Sequence, residues 1–385
     1  MNKINVLHII GNLNVGGAEK SLLLLLKNID RTRFAPVVVT MYSDGVNDFF
    51  YRDFQQLDIP LYHLHLKSWR DVKTFLALRK IIRQHRIDIV HSHYGSLEFF
   101  GTLYARLAGV RHCVYTKHNL RIKSGLWFHL ERILLNLFLS ERIFSISQTV
   151  TEHLVKSEHA LRNRTRLIYN PVEEPVMLST RQIAALKHEW KIPAERFVIG
   201  NTSRFDPVKG FDIFYLTLKN LREMGITAHA VVMGNEASRT EHQRFIEANN
   251  LRDFVTILPF QKDLSPVYAI LNCYLFPSVH TEGFGIALLE AMSYGLPVVG
   301  LNVGVISEII RNRHDGLLPF PEKWKKTFRG DRTAAAVALA QAVAELYHKP
   351  DLYRKISAGA KITAEKYSVT NFVNKLEAIY LELVK

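Results

Sequence analysis

The sequence predicts an α/β protein made of two doubly wound, Rossmann-like parallel-sheet domains. Three observations carry the prediction. Short apolar runs alternate with longer helical segments from end to end, a polar proline-containing stretch interrupts the alternation once, and 385 residues exceed what one hydrophobic core usually organises.

Taken in order, "KINVLHII" reads as a strand that runs into the glycine loop "GNLNVGG" and the helix "AEKSLLLLLKNI". "FAPVVVTMY", "IPLYHLHL", "IDIVHSHY", "HCVYTKH" and "RIFSIS" are further strands, with helical stretches between them, one from Trp69 to Arg86. Apolar strands separated by helices indicate parallel sheets covered on both faces. The stretch "IYNPVEEPVMLSTRQ", residues 168–182, reads as a linker. Beyond it "RFVIGNTS", "AHAVVMG", "FVTILPF", "CYLFPS", "LPVVGLN" and "GLLPF" supply the strands of a second domain. In that domain the helix "IALLEAMSYG" begins near Ile286 and ends at Gly295, before Pro297. "EKWKKTFRGDR", residues 322–332, looks like an exposed insertion, and the chain closes on an amphipathic helix with Phe372, Val373, Leu376, Ile379, Tyr380 and Leu383 at helical spacing. The segment "KSGLWFHLERILLNLFLSER", residues 123–142, is apolar nearly all round, which reads first as buried core, with a membrane-interfacial helix, which should show a polar side, as the alternative.

Composition narrows the function classes. The apolar content of 48 % and charged content of 22 % are those of an ordinary globular protein. The two cysteines, Cys113 and Cys273, are too few for a disulfide framework or a metal cluster and fit a reducing compartment. No apolar run approaches the ~20 residues that span a bilayer, and the first residues lack a cleavage site, so an unexported, cytoplasmic protein is expected. A net charge of +14 implies attraction to polyanions. The basic residues form no zinc-finger, RNA-recognition or basic-zipper pattern, so a nucleic-acid partner is not expected. Peripheral contact with an anionic membrane at its inner face fits the charge.

Chemistry concentrates in a few loops. "HTEGFGIALLEAMSYGLPVVG", residues 280–300, joins Glu282, the glycines Gly283 and Gly285, and Glu290 across a strand-to-helix turn. In open parallel sheets ligands bind beyond the carboxyl ends of the strands, and a helix start offers unbonded N–H groups and partial positive charge to an anion such as a diphosphate. Glu290, inside the helix, suits a pair of vicinal hydroxyls; both acids also read as ordinary helix-start and solvated positions. "TSRFDPVKGFDIF" places Arg204 and Lys209 on another such loop, where they suit a departing diphosphate or a solvated turn. Gly16 and Gly17 lie in the first loop, which matches neither a dinucleotide fingerprint nor a P-loop. His91 and His93 in "HSHY" point the same way along a strand without a third ligand in the pattern, and no D-x-D occurs, so no metal is expected. His118 in "YTKHN" ends a strand and suits either a substrate hydroxyl or a structural role.

With "NVGGAEKSLLLLL", "TKHN", "SRFDPVKGFD" and above all "EGFGIALLEAMSYGLPVV" together, nearly the whole chain resembles the retaining GT-B glycosyltransferases of family 4, glycosyl transferases group 1. The resemblance implies a GT-B fold, two Rossmann-like domains facing across a cleft: residues 1–172, with the closing helix 367–385 packed back, on the acceptor side, and 173–366 binding a nucleotide sugar. It implies that Arg204 and Lys209 hold the donor diphosphate and Glu290 the ribose. Glu282 would face the donor sugar, with backbone N–H groups from Gly283, Phe284, Gly285 and Ile286. Gly16 and Gly17 would close over the phosphates, and His118 would lie beside the transferred sugar. It further implies a UDP-linked donor, a glycan or lipid-linked acceptor in surface polysaccharide or glycolipid synthesis, and no cofactor. The alternative is a non-catalytic nucleotide-sugar or carbohydrate-binding protein that keeps the same cleft.

Overall fold

The computed structural model describes residues 3–43, 46–68, 71–93, 95–120, 125–234, 236–279, 283–319 and 331–385. They form two compact units, Met1–Pro171 with Val369–Lys385, and Val172–Ser368.

The first unit is built on a parallel sheet whose strands are β1 (Ile4–Ile10), β2 (Phe34–Thr40), β3 (Leu61–His63), β4 (Ile89–His93), β5 (His112–Lys117), β6 (Arg142–Ser145) and β7 (Thr165–Leu167), in the order β3-β2-β1-β4-β5-β6-β7. Alternate side chains of each strand enter opposite cores. Val6 and Ile10 pack with Leu22 and Leu26 and with Val373, Leu376 and Tyr380 of the closing helix Val369–Leu383. Leu7 and Ile9 pack on the other side with Val39, Leu78, Ile82 and Tyr104. The second unit repeats the plan with β8 (Phe197–Asn201), β9 (Ala228–Met233), β10 (Val255–Leu258), β11 (Cys273–Phe276) and β12 (Val298–Gly300), ordered β10-β9-β8-β11-β12. Ile199, Ala230 and Leu275 pack against Phe214 and Leu218, and against Leu339 and Val343 of the Arg332–His348 helix.

Several elements differ from the pattern reading. The short strand β7 sits where no strand was expected, because three residues pairing with β6 carry too little alternation to register. "GLLPF" contributes a single bridge, Leu317 to Val299, instead of a strand. The expected linker is shortened at its far end by a capping box, in which Ser179 and Gln182 start the Thr180–Glu189 helix. The helix expected from Trp69 runs from Val72 to Gln84, capped by Asp71, which accepts from Thr74 N–H. Of the expected insertion, residues 322–330 lie outside the described residues, and Arg332 already begins a helix.

The largest departure is the segment expected to be buried core. Its helix, Leu126–Ile133 continued by a π-helical stretch Leu134–Leu139, turns its apolar side outward: Leu126 is 73 % exposed, Trp127 83 % and Phe138 70 %, and Leu130 and Leu134 are exposed too. Two of its polar residues, Arg132 and Asn136, face inward. Arg132, 3 % exposed, reaches Glu98 at 2.8 Å and Glu158 at 3.5 Å, while Lys117 reaches the same two carboxylates at 3.2 and 2.9 Å. Asn136 accepts from the Tyr115 hydroxyl at 2.5 Å and donates to the Glu158 carbonyl. Two fully buried carboxylates beneath the helix demand counter-charge, so the side with Arg132, Leu135 and Asn136 docks and Leu126, Leu130 and Leu134 are left outside. Burial alone would raise the Glu158 carboxyl, but a hydrogen bond from His153 and the charges of Lys117 and Arg132 hold it down at about 2.

Removing Arg132 would leave buried negative charge uncompensated, so Arg132→Met is expected to cost about 3–5 kcal/mol in urea unfolding. Trp127→Gln on the outward side should cost less than about 0.5 kcal/mol. Equal, small losses from the two would contradict this view of the helix.

Candidate functional site

In both units the strand order reverses beside the first strand, at β1/β4 and at β8/β11. Loops leaving the carboxyl ends of such neighbours diverge and leave an opening between them.

In the second unit the β8 loop carries Arg204, which is exposed, and a short 3-10 turn, Pro207–Lys209, carries Lys209. Asp206 caps that turn by accepting from Val208 N–H at 3.0 Å. The turn is sewn to the β11 loop: Val279 N–H and the Ser278 hydroxyl both donate to the Val208 carbonyl, at 2.9 and 3.1 Å. Gly210 makes this closeness possible, since it lies in the left-handed region (φ 69°) and a Cβ there would stand 2.2 Å from the Pro277 carbonyl oxygen. Lys209 Nζ lies 6.0 Å from the centre of the Phe276 ring.

The β11 loop ends at Gly285 (φ 88°), where the left-handed conformation turns the chain directly into the Ile286–Ser293 helix. Gly283, Phe284, Gly285 and Ile286 thus form the helix start, with Phe284 buried against Tyr367, and Ser293 and Gly295 mark its end. Glu282 lies outside the described residues. Glu290 is buried, and its carboxylate accepts from the Tyr268 hydroxyl at 2.7 Å, which in turn is 2.9 Å from the Thr202 hydroxyl. Burial, then the neighbouring Glu290 and Tyr274, push the Tyr268 hydroxyl well above its ordinary range, so it remains a donor. Tyr268 and Thr202 therefore orient Glu290 from the β8 side. Sequence patterns gave no sign of either, because they meet through the β8/β11 pairing.

In the first unit the β1 loop leads to Gly16, which precedes the Gly17–Asn28 helix in an extended conformation (φ −168°) that any residue can adopt. What Gly16 provides is room: a Cβ there would meet the Glu19 carboxylate at 2.2 Å. Nearby lies a histidine cluster. The strand pattern alone supplied no third ligand beside His91 and His93, but the parallel register sets His8 of β1 opposite His91, and the ring nitrogens of all three come within 4.8 Å of one another. Their hydrogen bonds are largely taken. His91 contacts the Tyr380 and Thr116 hydroxyls, each at 2.6 Å, so a metal would have to displace one of them. His8 Nδ1 lies 3.2 Å from His93 Nε2, and His93 Nδ1 lies 3.4 Å from His118 Nε2, a chain that ends on His118. Burial lowers all four, His8 and His118 to about 3, so each is a neutral imidazole.

Comparisons with known proteins agree with this architecture. Residues 182–363 match the family model described as glycosyl transferases group 1, and residues 15–174 match glycosyltransferase family 4. The chain is 22 % identical over 325 residues to the UDP-Gal:alpha-D-GlcNAc-diphosphoundecaprenol alpha-1,3-galactosyltransferase of Escherichia coli, covering 82 % of this chain and 84 % of that one. It is 23 % identical over 363 residues, 89 % of each chain, to the capsular polysaccharide biosynthesis glycosyltransferase CapM of Staphylococcus aureus. Among solved structures, HepE of Anabaena in complex with UDP superposes with a TM-score of 0.81 at 19 % identity, over 98 % of this chain and all of that one. The fold is GT-B. The chain belongs to the group 1 glycosyltransferases and is a glycosyltransferase.

The neutral histidines fix a pH response. Unfolded, His8 and His118 titrate near 6.5; folded, near 3. Below pH 6.5 the unfolded chain binds protons that the folded chain refuses, so stability is full above that pH and falls beneath it, by up to about 1.4 kcal/mol per pH unit for each histidine. Urea midpoints should drop clearly between pH 7 and pH 5, before the carboxylates titrate. A flat profile over that interval would contradict the neutral cluster.

Proposed function

We propose that this glycosyltransferase is a retaining, metal-independent enzyme that moves a sugar from a UDP-linked donor to a glycan or lipid-linked acceptor. The observation that carries the reading is the convergence, at the β8/β11 reversal, of two cationic side chains, a helix start and a buried, hydroxyl-oriented carboxylate.

Those groups suit the two halves of a nucleotide sugar. The diphosphate needs positive charge that strengthens as the sugar leaves, and Arg204, Lys209 and the N–H groups of Gly283 to Ile286 supply it. The ribose offers two vicinal hydroxyls, and Glu290, held from behind by Tyr268, offers a carboxylate to accept from them. Glu282 is assigned to the donor sugar. The roles that the resemblance gives to Gly16 and Gly17, at the phosphates, and to His118, beside the transferred sugar, belong to the same proposal. A neutral His118 suits hydrogen bonding to a sugar hydroxyl better than ionic contact.

Retention follows if the departing diphosphate oxygen itself takes the acceptor's proton on the face it leaves. The protein then has to stabilise developing anionic charge, which the β8 and β11 loops are equipped to do. UDP is supported by the nucleotide in the HepE structure and by the UDP-Gal of the Escherichia coli relative, whose diphosphoundecaprenol acceptor also supports a lipid-linked partner. A lipid-linked acceptor would bring the enzyme to a membrane surface, which this reading takes to be the cytoplasmic face.

Lys209→Ala and Glu290→Ala are each expected to weaken UDP binding by about 10- to 100-fold in calorimetry, the scale of one charged hydrogen bond. The wild-type chain should release UDP from at least one member of a panel of UDP-sugars. Unchanged affinity in both variants would remove the assigned roles, and binding without any release would favour a non-catalytic binder.

A further inference from the structure

We propose that the outward side of the Leu126–Leu139 helix is a docking surface for an anionic lipid bilayer. This deepens the lipid-linked-acceptor reading and rests on it for its purpose, though its evidence is separate.

Leu126, Leu130, Leu134 and Phe138 recur every four residues, with Trp127 beside the first, and all five are exposed. Leu107 and Leu161 extend the apolar area from neighbouring segments, at 62 and 41 % exposed. Their places are fixed by arginines: Arg106 donates to the Leu139 carbonyl at 2.8 Å and Arg164 to the Leu137 carbonyl at 2.8 Å, while His159 stacks edgewise on His129 at 5.6 Å. A contiguous apolar surface of this kind marks an interaction site on a soluble protein.

The surroundings decide the occupant. Arg106 and Arg164 tie the helix end to the segments that carry exposed Arg111 and Arg162, so a basic rim borders the leucines, in a chain of net charge +14. The neighbouring acids Glu131 and Glu141 are paired with Arg132 and His112. Apolar side chains with a basic border match acyl chains beneath anionic headgroups. No described helix is long and apolar enough to cross a membrane, so this one lies on the surface. The inward salt-bridged side holds it rigidly, with Trp127 at the exposed end, where an indole suits the headgroup level.

The test uses the whole chain with vesicles of phosphatidylcholine, alone or with one third phosphatidylglycerol, and no donor or acceptor. Co-sedimentation should be at least tenfold stronger with the anionic vesicles and should weaken with salt. The double variant Trp127→Glu, Phe138→Glu should lose at least tenfold of that partition with an unchanged unfolding midpoint, and Arg111→Glu, Arg162→Glu should lose the anionic preference. A wild-type chain that stays in the supernatant, or a double variant that binds equally well, overturns the proposal. So does a dimer that the double variant dissociates without any vesicle binding, which would assign the surface to a second copy. Because transfer is not measured, failure here leaves the donor-site reading standing, and an inactive enzyme that still binds vesicles leaves this one standing.

Discussion

The rest of the structure depends on a constraint of parallel sheets. When successive strands are added first to one side of a starting strand and then to the other, the loops at the reversal point part company, and backbone groups at their ends have no neighbours in the sheet. Here that happens twice, at β1/β4 and β8/β11, and among the described residues Gly16 and Gly17 follow β1, Arg204 and Lys209 follow β8, and Gly283 to Ile286 follow β11. Gly210 and Gly285 belong to this constraint, since each takes a left-handed conformation where a loop must turn closely into a helix.

Three groups of polar residues inside the units are held by partners. Glu290 is held by a tyrosine whose hydroxyl meets that of Thr202, the histidine chain by hydroxyls of Thr116 and Tyr380, and the carboxylates Glu98 and Glu158 by Lys117 and Arg132. Burying charge is tolerable only with such partners. The last of these groups has an outward consequence, because docking Arg132 decides which side of an apolar helix meets solvent.

Much of the architecture was legible because buried parallel strands write themselves as apolar runs: ten of the strands named from the sequence correspond to β1–β6 and β8–β11 in place, and β12 lies within "LPVVGLN". The helix limits at Ile286 and Gly295 were legible from glycine and proline chemistry. What stayed hidden depends on pairing between distant segments. His8 is an ordinary strand residue until the register sets it opposite His91, and Tyr268 gains meaning through its contact with Glu290. The Leu126–Leu139 helix misled for a related reason: its apolar sequence is that of core, and its orientation is set by Glu98 and Glu158, far away in sequence.

The most direct test is a crystal structure of the chain with UDP. The diphosphate should lie at the start of the Ile286–Ser293 helix, within about 3 Å of its N–H groups and of the Arg204 or Lys209 side chain, with the ribose on Glu290. UDP bound elsewhere, with that place left to solvent, would contradict the account.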